Sequence, residues 1–297
     1  MLKITVPASS ANLGAGFDAL GLALTLYNRV WMEEADGCHI ESADDVPIPT
    51  DESNLIYHTA RLLYERCGRP FHGLHIRQEN HIPMARGLGS SSACLVAGLL
   101  GANTLLGSPL APEDVADLAA ELEGHPDNVA PALLGGLVTA VMDGGRVHTV
   151  SVPVSERIRF AVFIPDFELK TETARAALPG HVTRQDAVYN LSRAALMTAS
   201  LFSGSLQNLR VAVQDRLHQP YRFPMIPGVE PVFYTAYELG AYAVAISGAG
   251  PSVLAILDRD NTTFPSLAED ALARAGLTGW TVRIFDCANK GAEVAFD

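Results

Sequence analysis

At 297 residues, 48% of them hydrophobic, the chain can bury one large core or two medium ones. A formal net charge of −12 argues against nucleic acid or an anionic membrane as partner, while leaving room for a small anion met by a local positive field. No apolar run is long enough for a membrane span, the N-terminus lacks a signal peptide's apolar stretch, and Cys38, Cys67, Cys94 and Cys287 form no CxxC pair, so a reduced, cytoplasmic protein without a zinc site or disulfide framework is expected.

Leu2, Ile4 and Val6 alternate with other residues and predict a first strand. "LGLALTLYNRVWM", Leu20 to Met32, predicts a second, mostly buried one. Leu55, Ile56, Thr59, Leu62 and Leu63 recur at helical spacing between Asn54 and Cys67, with Gly68 as a stop. His72 to Gln78 predicts a strand. Ser91 to Leu106 is apolar at nearly every position, the pattern of a helix buried on most sides. Pro112, followed by Glu113 and Asp114, opens a helix that runs to about Glu123 and stops at Gly124. "GLVTAVMDGGRVHTVSV" predicts a hairpin around Asp143-Gly144-Gly145. The pattern restarts around 150–156. "IRFAVFIP" predicts a strand, followed by helices near Thr171–Leu178 and Gln185–Ser203. "YAVAISGAGPSVLAIL" predicts two strands meeting at a glycine turn, Phe264 to Ala275 a helix, and "WTVRIF" a final strand. Helices and strands mix without strict βαβ alternation, so the expected class is α+β, with a boundary near residue 152 dividing 1–152 from 153–297.

Before the buried helix lies "IPMARGLGSSSA", Ile82 to Ala93. Gly87 and Gly89 allow positive φ and close backbone approach to a ligand. Ser90, Ser91 and Ser92 lead into a helix whose N-terminus offers unpaired N–H groups and a partial positive charge, both suited to phosphate. The alternative is a plain connector with a serine cap. The segment is neither a Walker loop, for want of Gly-Lys-Ser/Thr, nor a dinucleotide fingerprint, for want of a third glycine.

"PMARGLGSSSA" resembles the phosphate loop of the family of small-molecule kinases for galactose, homoserine, mevalonate and phosphomevalonate. "PASSANLGAGFDALGLAL" is similar to the family's first motif in its homoserine version, and "AISGAGPSVLAI" to its third; "EGHPDNVAPALLGG" and "TETARAALP" resemble segments of the homoserine branch. The resemblance implies a two-domain fold, its first half carrying the phosphate loop and its second a ferredoxin-like sandwich. It implies ATP-dependent phosphorylation of the L-homoserine hydroxyl, serving threonine synthesis, in a protein that forms a homodimer. The rivals are another small-alcohol kinase of the same family, or a non-catalytic metabolite-sensing relative.

The resemblance assigns roles residue by residue. Pro83 opens the ATP loop, and the backbone of Arg86, Gly87, Leu88, Gly89, Ser90, Ser91 and Ser92 cradles phosphate. No lysine lies in the loop, so Mg²⁺ supplies charge, held by Ser91 (Ser90 being the alternative) and by Glu123, with Glu121 as the second candidate. Asn54 and Leu55 lie where relatives touch adenine. Asp18 takes the substrate's amino group beside Asn12, Arg175 and Arg222 take its carboxylate, and Thr171 lies near the reacting hydroxyl. An acid with two arginines is the set a zwitterion requires. In "HPDN", His125 and Asp127 invite a general-base reading, against a plainer one in which Asp127 or Asn128 caps a short helix. Asn128 stands where mevalonate kinases have an aspartate; an amide takes no proton, so the expectation is in-line transfer without a dedicated base.

Overall fold

A computed structural model describes residues 1–296. The expected α+β class is what it shows. One sheet contains β1 (Leu2–Ala11), β2 (Leu20–Glu34), β3 (Gly37–Ser42), β4 (Gly73–Asn80), β5 (Leu137–Asp143), β6 (Arg146–Val152) and a last strand, β11 (Glu293–Phe296); the other contains β7 (Ile158–Pro165), β8 (Ala243–Ile246), β9 (Val253–Asp258) and β10 (Trp280–Phe285). The first sheet runs β11-β1-β2-β4-β3, with the β5–β6 hairpin attached to β2. The second runs β10-β7-β9-β8 with every pair antiparallel, the ferredoxin-like order.

Helices α1 (Leu55–Arg66), α2 (Ser90–Leu105), α3 (Pro112–Glu123) and α4 (Pro126–Leu134) belong to the first half. In the second half lie α5 (Thr171–Ala176), α6 (Arg184–Ser203), α7 (Leu209–Ala212), α8 (Gln219–Arg222), α9 (Val229–Glu238) and α10 (Phe264–Arg274). Apolar almost all round, α2 is buried at Leu95, Val96, Ala97, Leu99 and Ala102, between β1, α1, α3 and α4. It serves as the axle of the first half, and its N-terminus is thereby fixed.

The two halves share a core. Phe160, Val162 and Ile164 of β7 face the cluster containing Ile4, Leu22 and Met32, whereas Ala161 and Phe163, on the opposite face, pack with Phe264 and Val232. Period-two alternation in a strand buried on both faces therefore welds the second sheet to the first half on one side and to its own helices on the other.

Helices α7, α8 and α9 lie where no element was expected, and four further details differ from the sequence-based expectation. The strand over 37–42 was not anticipated: its residues are at most half-buried, so "GCHIES" carries little apolar signal. "WTVRIF" is not the last strand, because β11 returns to pair with β1. Its four residues are all exposed and too few for periodicity to register, and residues expected with the second half thus end on the first sheet. The cap of α2 is Gly89 in the left-handed region, not a serine. The cap position of α4 is His125; Asp127 and Asn128 lie inside its first turn.

Candidate active site

The phosphate-loop segment is held open by its neighbours. Gly87 (φ +70°) and Gly89 (φ +71°) both occupy the region that penalises a side chain. A Cβ at Gly87 would stand 2.2 Å from the Ser247 carbonyl oxygen, and one at Gly89 2.1 Å from Ser9 Oγ. The third motif, Ser247 to Ser252, is the wall behind the loop: Ser247 Oγ donates to the Gly87 carbonyl at 2.6 Å, and Ser252 N–H reaches the Arg86 carbonyl at 3.4 Å. On the other side the Ser9 N–H donates to the Leu88 carbonyl at 3.1 Å. Ser9 and Ser10 lie just past the register shift between Pro7 and Ala8, where β2 carries extra residues against β1.

No side chain caps α2, and its first intrahelical bond comes from the Ala93 N–H to Gly89 at 2.8 Å. The N–H groups of the preceding serines thus face the cleft at the positive end of the helix dipole. Arg86 contributes main chain only, since its guanidinium is anchored on the carbonyls of Pro165 and Asp166 at 3.0 and 2.7 Å.

Opposite the serines stands Glu123, the last residue of α3. It accepts a hydrogen bond from Ser92 Oγ at 2.8 Å, and burial raises its carboxyl pKa above the ordinary carboxylate value. Glu121 points away and pairs with Arg66 in solvent. Of the two glutamates Glu123 lines the cleft and Glu121 does not, and of the three serines Ser92 is bonded to Glu123, with Ser91 exposed at the cleft edge. A carboxylate and hydroxyls are hard oxygen donors, a set that fits Mg²⁺, and a divalent cation would relieve the buried charge.

Three side chains of "HPDN" reach the same cleft. Asp127, 1% exposed, holds His125 Nδ1 at 2.6 Å. Burial opposes charge on His125, but the Asp127 hydrogen bond and the nearby acids outweigh it and raise the imidazole pKa. The Asp127 bond fixes the ring and takes Nδ1, so that nitrogen is not free to receive a substrate proton. Asn128 Oδ1 accepts from Ser9 Oγ at 3.0 Å, so its NH₂ is the group left to donate into the cleft.

Across the cleft are the charged groups. Asp18 sits in the left-handed region (φ +54°), its N–H held by Asn12 Oδ1 at 3.0 Å. Asn12 Nδ2 in turn donates to the Gly248 carbonyl at 2.8 Å. Arg175 on α5 forks onto both oxygens of Asp18. Arg222, on α8, is 1% exposed, with Nη1 on His218 Nδ1 and the Gly248 carbonyl, each at 3.0 Å. Its Nε is buried and has no partner, and among the described residues no carboxylate lies within ion-pair distance of it. Burial, then the charge of Arg175, lowers its pKa to about 10, so the guanidinium stays charged and lacks an anion. His218 Nε2 donates to the Gly14 carbonyl at 2.7 Å, and burial lowers the ring's pKa, leaving a neutral imidazole that can accept from Arg222.

The expected residues Asn12, Asp18, Arg86 to Ser92, Glu123, His125, Asn128, Thr171, Arg175 and Arg222 all line this one cleft, as do Ala85, Asp127, Gly248 and Ala249. Pro83, Asn54 and Leu55 do not. Asn54 is buried, caps α1 and bonds Gln78 Oε1 at 2.6 Å, so its side chain is committed to the fold and not free for a base. Sequence reasoning missed Ser9, His218 and Asp215, whose buried carboxylate accepts from the His218 N–H at 3.0 Å. For the last two a signal existed: Asp215, His218 and Arg222 fall at i, i+3 and i+7, one face of helical spacing.

A glycine loop at a buried helix mouth, facing a buried glutamate and a charged pocket, defines a phosphotransferase acting on an alcohol. The profile described as GHMP kinases N terminal domain matches residues 54–136, and that described as GHMP kinases C terminal matches 195–263. A homoserine kinase of Caldicellulosiruptor bescii is 44% identical over 297 residues, covering 99% of this chain and 97% of the relative. The crystal structure of homoserine kinase from Cytophaga hutchinsonii superposes with a TM-score of 0.85 at 28% identity, over 99% of this chain and 97% of that one. The mevalonate kinase of L. major, in complex with R-mevalonate, shares the fold alone, with a TM-score of 0.70 at 14% identity over 95% and 94% of the two chains. The chain belongs to the GHMP kinase family.

Proposed function

We propose that this cleft transfers the terminal phosphoryl group of ATP to the side-chain hydroxyl of L-homoserine. The observation that carries it is the pairing of one acid, Asp18, with two arginines, Arg175 and Arg222, beside the phosphate loop, the second arginine lacking any anion of its own. An amino acid's carboxylate supplies the anion that Arg222 lacks, and its ammonium gives Asp18 a partner when Arg175 turns to that carboxylate. The curated homoserine kinases, alike over the full chain, support the same substrate.

In this reading the N–H groups of Gly89 to Ser92 and the dipole of α2 bind the terminal phosphates of ATP. Glu123 and Ser92, with Ser91 at hand, would hold Mg²⁺, which when bound neutralises phosphate charge. Asp18 binds the ammonium, Arg222 and Arg175 the carboxylate, and the Asn128 NH₂ and Thr171 orient the reacting end. The hydroxyl oxygen forms a bond to phosphorus as the bond to the ADP oxygen breaks, and the hydroxyl proton passes to the transferred phosphate. No dedicated base is assigned, since the Asn128 amide takes no proton and His125 Nδ1 is tied to Asp127. Rate comes from alignment and electrostatics. The four cysteines are free thiols, in keeping with a cytoplasmic enzyme.

The test is ADP release with Mg-ATP across homoserine, serine, threonine, mevalonate and galactose. Homoserine should exceed each of the others by at least tenfold in kcat/KM. A preference for mevalonate or galactose, or tight ATP binding without ADP from any alcohol, would overturn the assignment.

A further inference from the structure

The two groups assigned to opposite ends of the substrate are bonded to each other. Arg175 Nη1 and Nη2 meet Asp18 Oδ2 and Oδ1 at 2.9 and 2.8 Å, a bidentate fork closing across the cleft between the loop after β1 and α5. Asp18 is fixed from behind by Asn12, and Arg175 comes from a helix of only six residues. Phe17 lies beneath both guanidinium groups, 5.4 Å from that of Arg175 and 5.5 Å from that of Arg222. The other acids whose charge reaches Arg175, Asp127 and Glu123, are taken by His125 and Ser92.

Resting on the homoserine reading, we propose that the Asp18–Arg175 pair is a selectivity latch that admits zwitterions and rejects alcohols carrying only a carboxylate. A carboxylate can take the fork of Arg175 only by displacing Asp18. When the incoming molecule also carries an ammonium, Asp18 passes to that ammonium, and one internal pair is exchanged for two pairs with substrate. When it carries none, Asp18 is left without Arg175 beside the incoming anion and Asp127, within 4.8 Å of a His125 ring already bonded to Asp127, and the latch stays closed. Such an alcohol then has only Arg222 to bind. Discrimination thus comes from a competing internal contact as well as from contacts to the substrate.

The probe is 4-hydroxybutyrate, which is homoserine without its amine, assayed for ADP release beside homoserine. Wild type should use homoserine and barely use 4-hydroxybutyrate. D18N keeps the side-chain shape, and asparagine tolerates the left-handed backbone found here. It should lose homoserine activity by about 100-fold yet gain at least tenfold in kcat/KM for 4-hydroxybutyrate, because Arg175 is released. R175Q should show no such gain. A second measurement needs no variant: methylammonium chloride, against an equal ionic strength of sodium chloride, should activate 4-hydroxybutyrate turnover several-fold and saturably in wild type by filling Asp18. It should do nothing for D18N. The latch is overturned if folded D18N, shown by its Tm and ATP affinity, gains nothing, if R175Q gains equally, or if methylammonium fails to activate wild type. Absence of homoserine turnover in wild type would instead strike the underlying reading, and the same plate separates the two results.

Discussion

Glu123 shows how one side chain carries both a cost and a function. Burial raises its pKa, so the folded state holds its proton more tightly than the unfolded chain does. By linkage its contribution to stability falls as pH rises from the ordinary carboxylate value through the raised one, and near neutrality the buried charge destabilises the protein without a metal. E123Q should therefore raise the Tm measured at pH 7.5 without Mg²⁺, and its kcat should fall by about 10²-fold or more, as expected when a preorganised charge is removed. His125 has the same slope for a different reason: its charged form is the one the fold stabilises. Its raised pKa gives stability that is full below the ordinary histidine value and fades as pH rises through the folded one. H125Q should flatten the pH dependence of stability in that window, while the kcat profile gains no sharp limb near the histidine pKa in either protein. A limb present in wild type and abolished in H125Q would reinstate histidine as a base. The types of these side chains were readable in the chain. That Ser92, not Ser91, meets Glu123 was not, because three consecutive serines differ only in which way the first helical turn faces them.

At the scale of elements, the phosphate loop is a shape imposed from outside. Two glycines supply the permitted backbone, and Ser247, Ser252 and Ser9 fix it from behind. G89A meets both a positive φ and the Ser9 hydroxyl, and should lower stability by about 1–3 kcal/mol in urea denaturation while weakening ATP binding by at least tenfold. S247A removes bonds to the Gly87 carbonyl and to Ser10 Oγ, costing about 1–3 kcal/mol, and should raise the KM for ATP more than that for homoserine. The reverse ranking would show that this turn acts on the substrate instead of the loop. Long elements with strong periodicity, such as α1, α3 and β7, were legible to within a residue or two, because burial of one face dictates their spacing. β3 and β11 were invisible: half-exposed edge strands are held by ladder bonds, which leave no pattern in side chains.

Over the whole molecule, the cleft exists because two sheets share one core. The Phe160 side chain, 2% exposed on β7, belongs to the cluster that includes Ile4 and Met32 in the first sheet. F160A should cost about 3–5 kcal/mol, and unfolding followed by fluorescence and by far-ultraviolet circular dichroism should still coincide in a single transition. Separate transitions would mean that the halves fold independently and that the cleft is a flexible joint. By itself the sequence determined the α+β class and the glycine loop before a buried helix, since turn chemistry and periodicity are local properties that each segment carries along the chain, while the phosphate and substrate roles came from the resemblance of its motifs to a kinase family. Only the tertiary structure decided which glutamate and which serine meet, that Asn54 is a cap, that His218 supports Arg222, and that Asp18 and Arg175 clasp one another. Asp18 and Arg175 lie 157 residues apart and Ser92 and Glu123 31, and such distances are set by how a shared core packs, not by any spacing written along the chain.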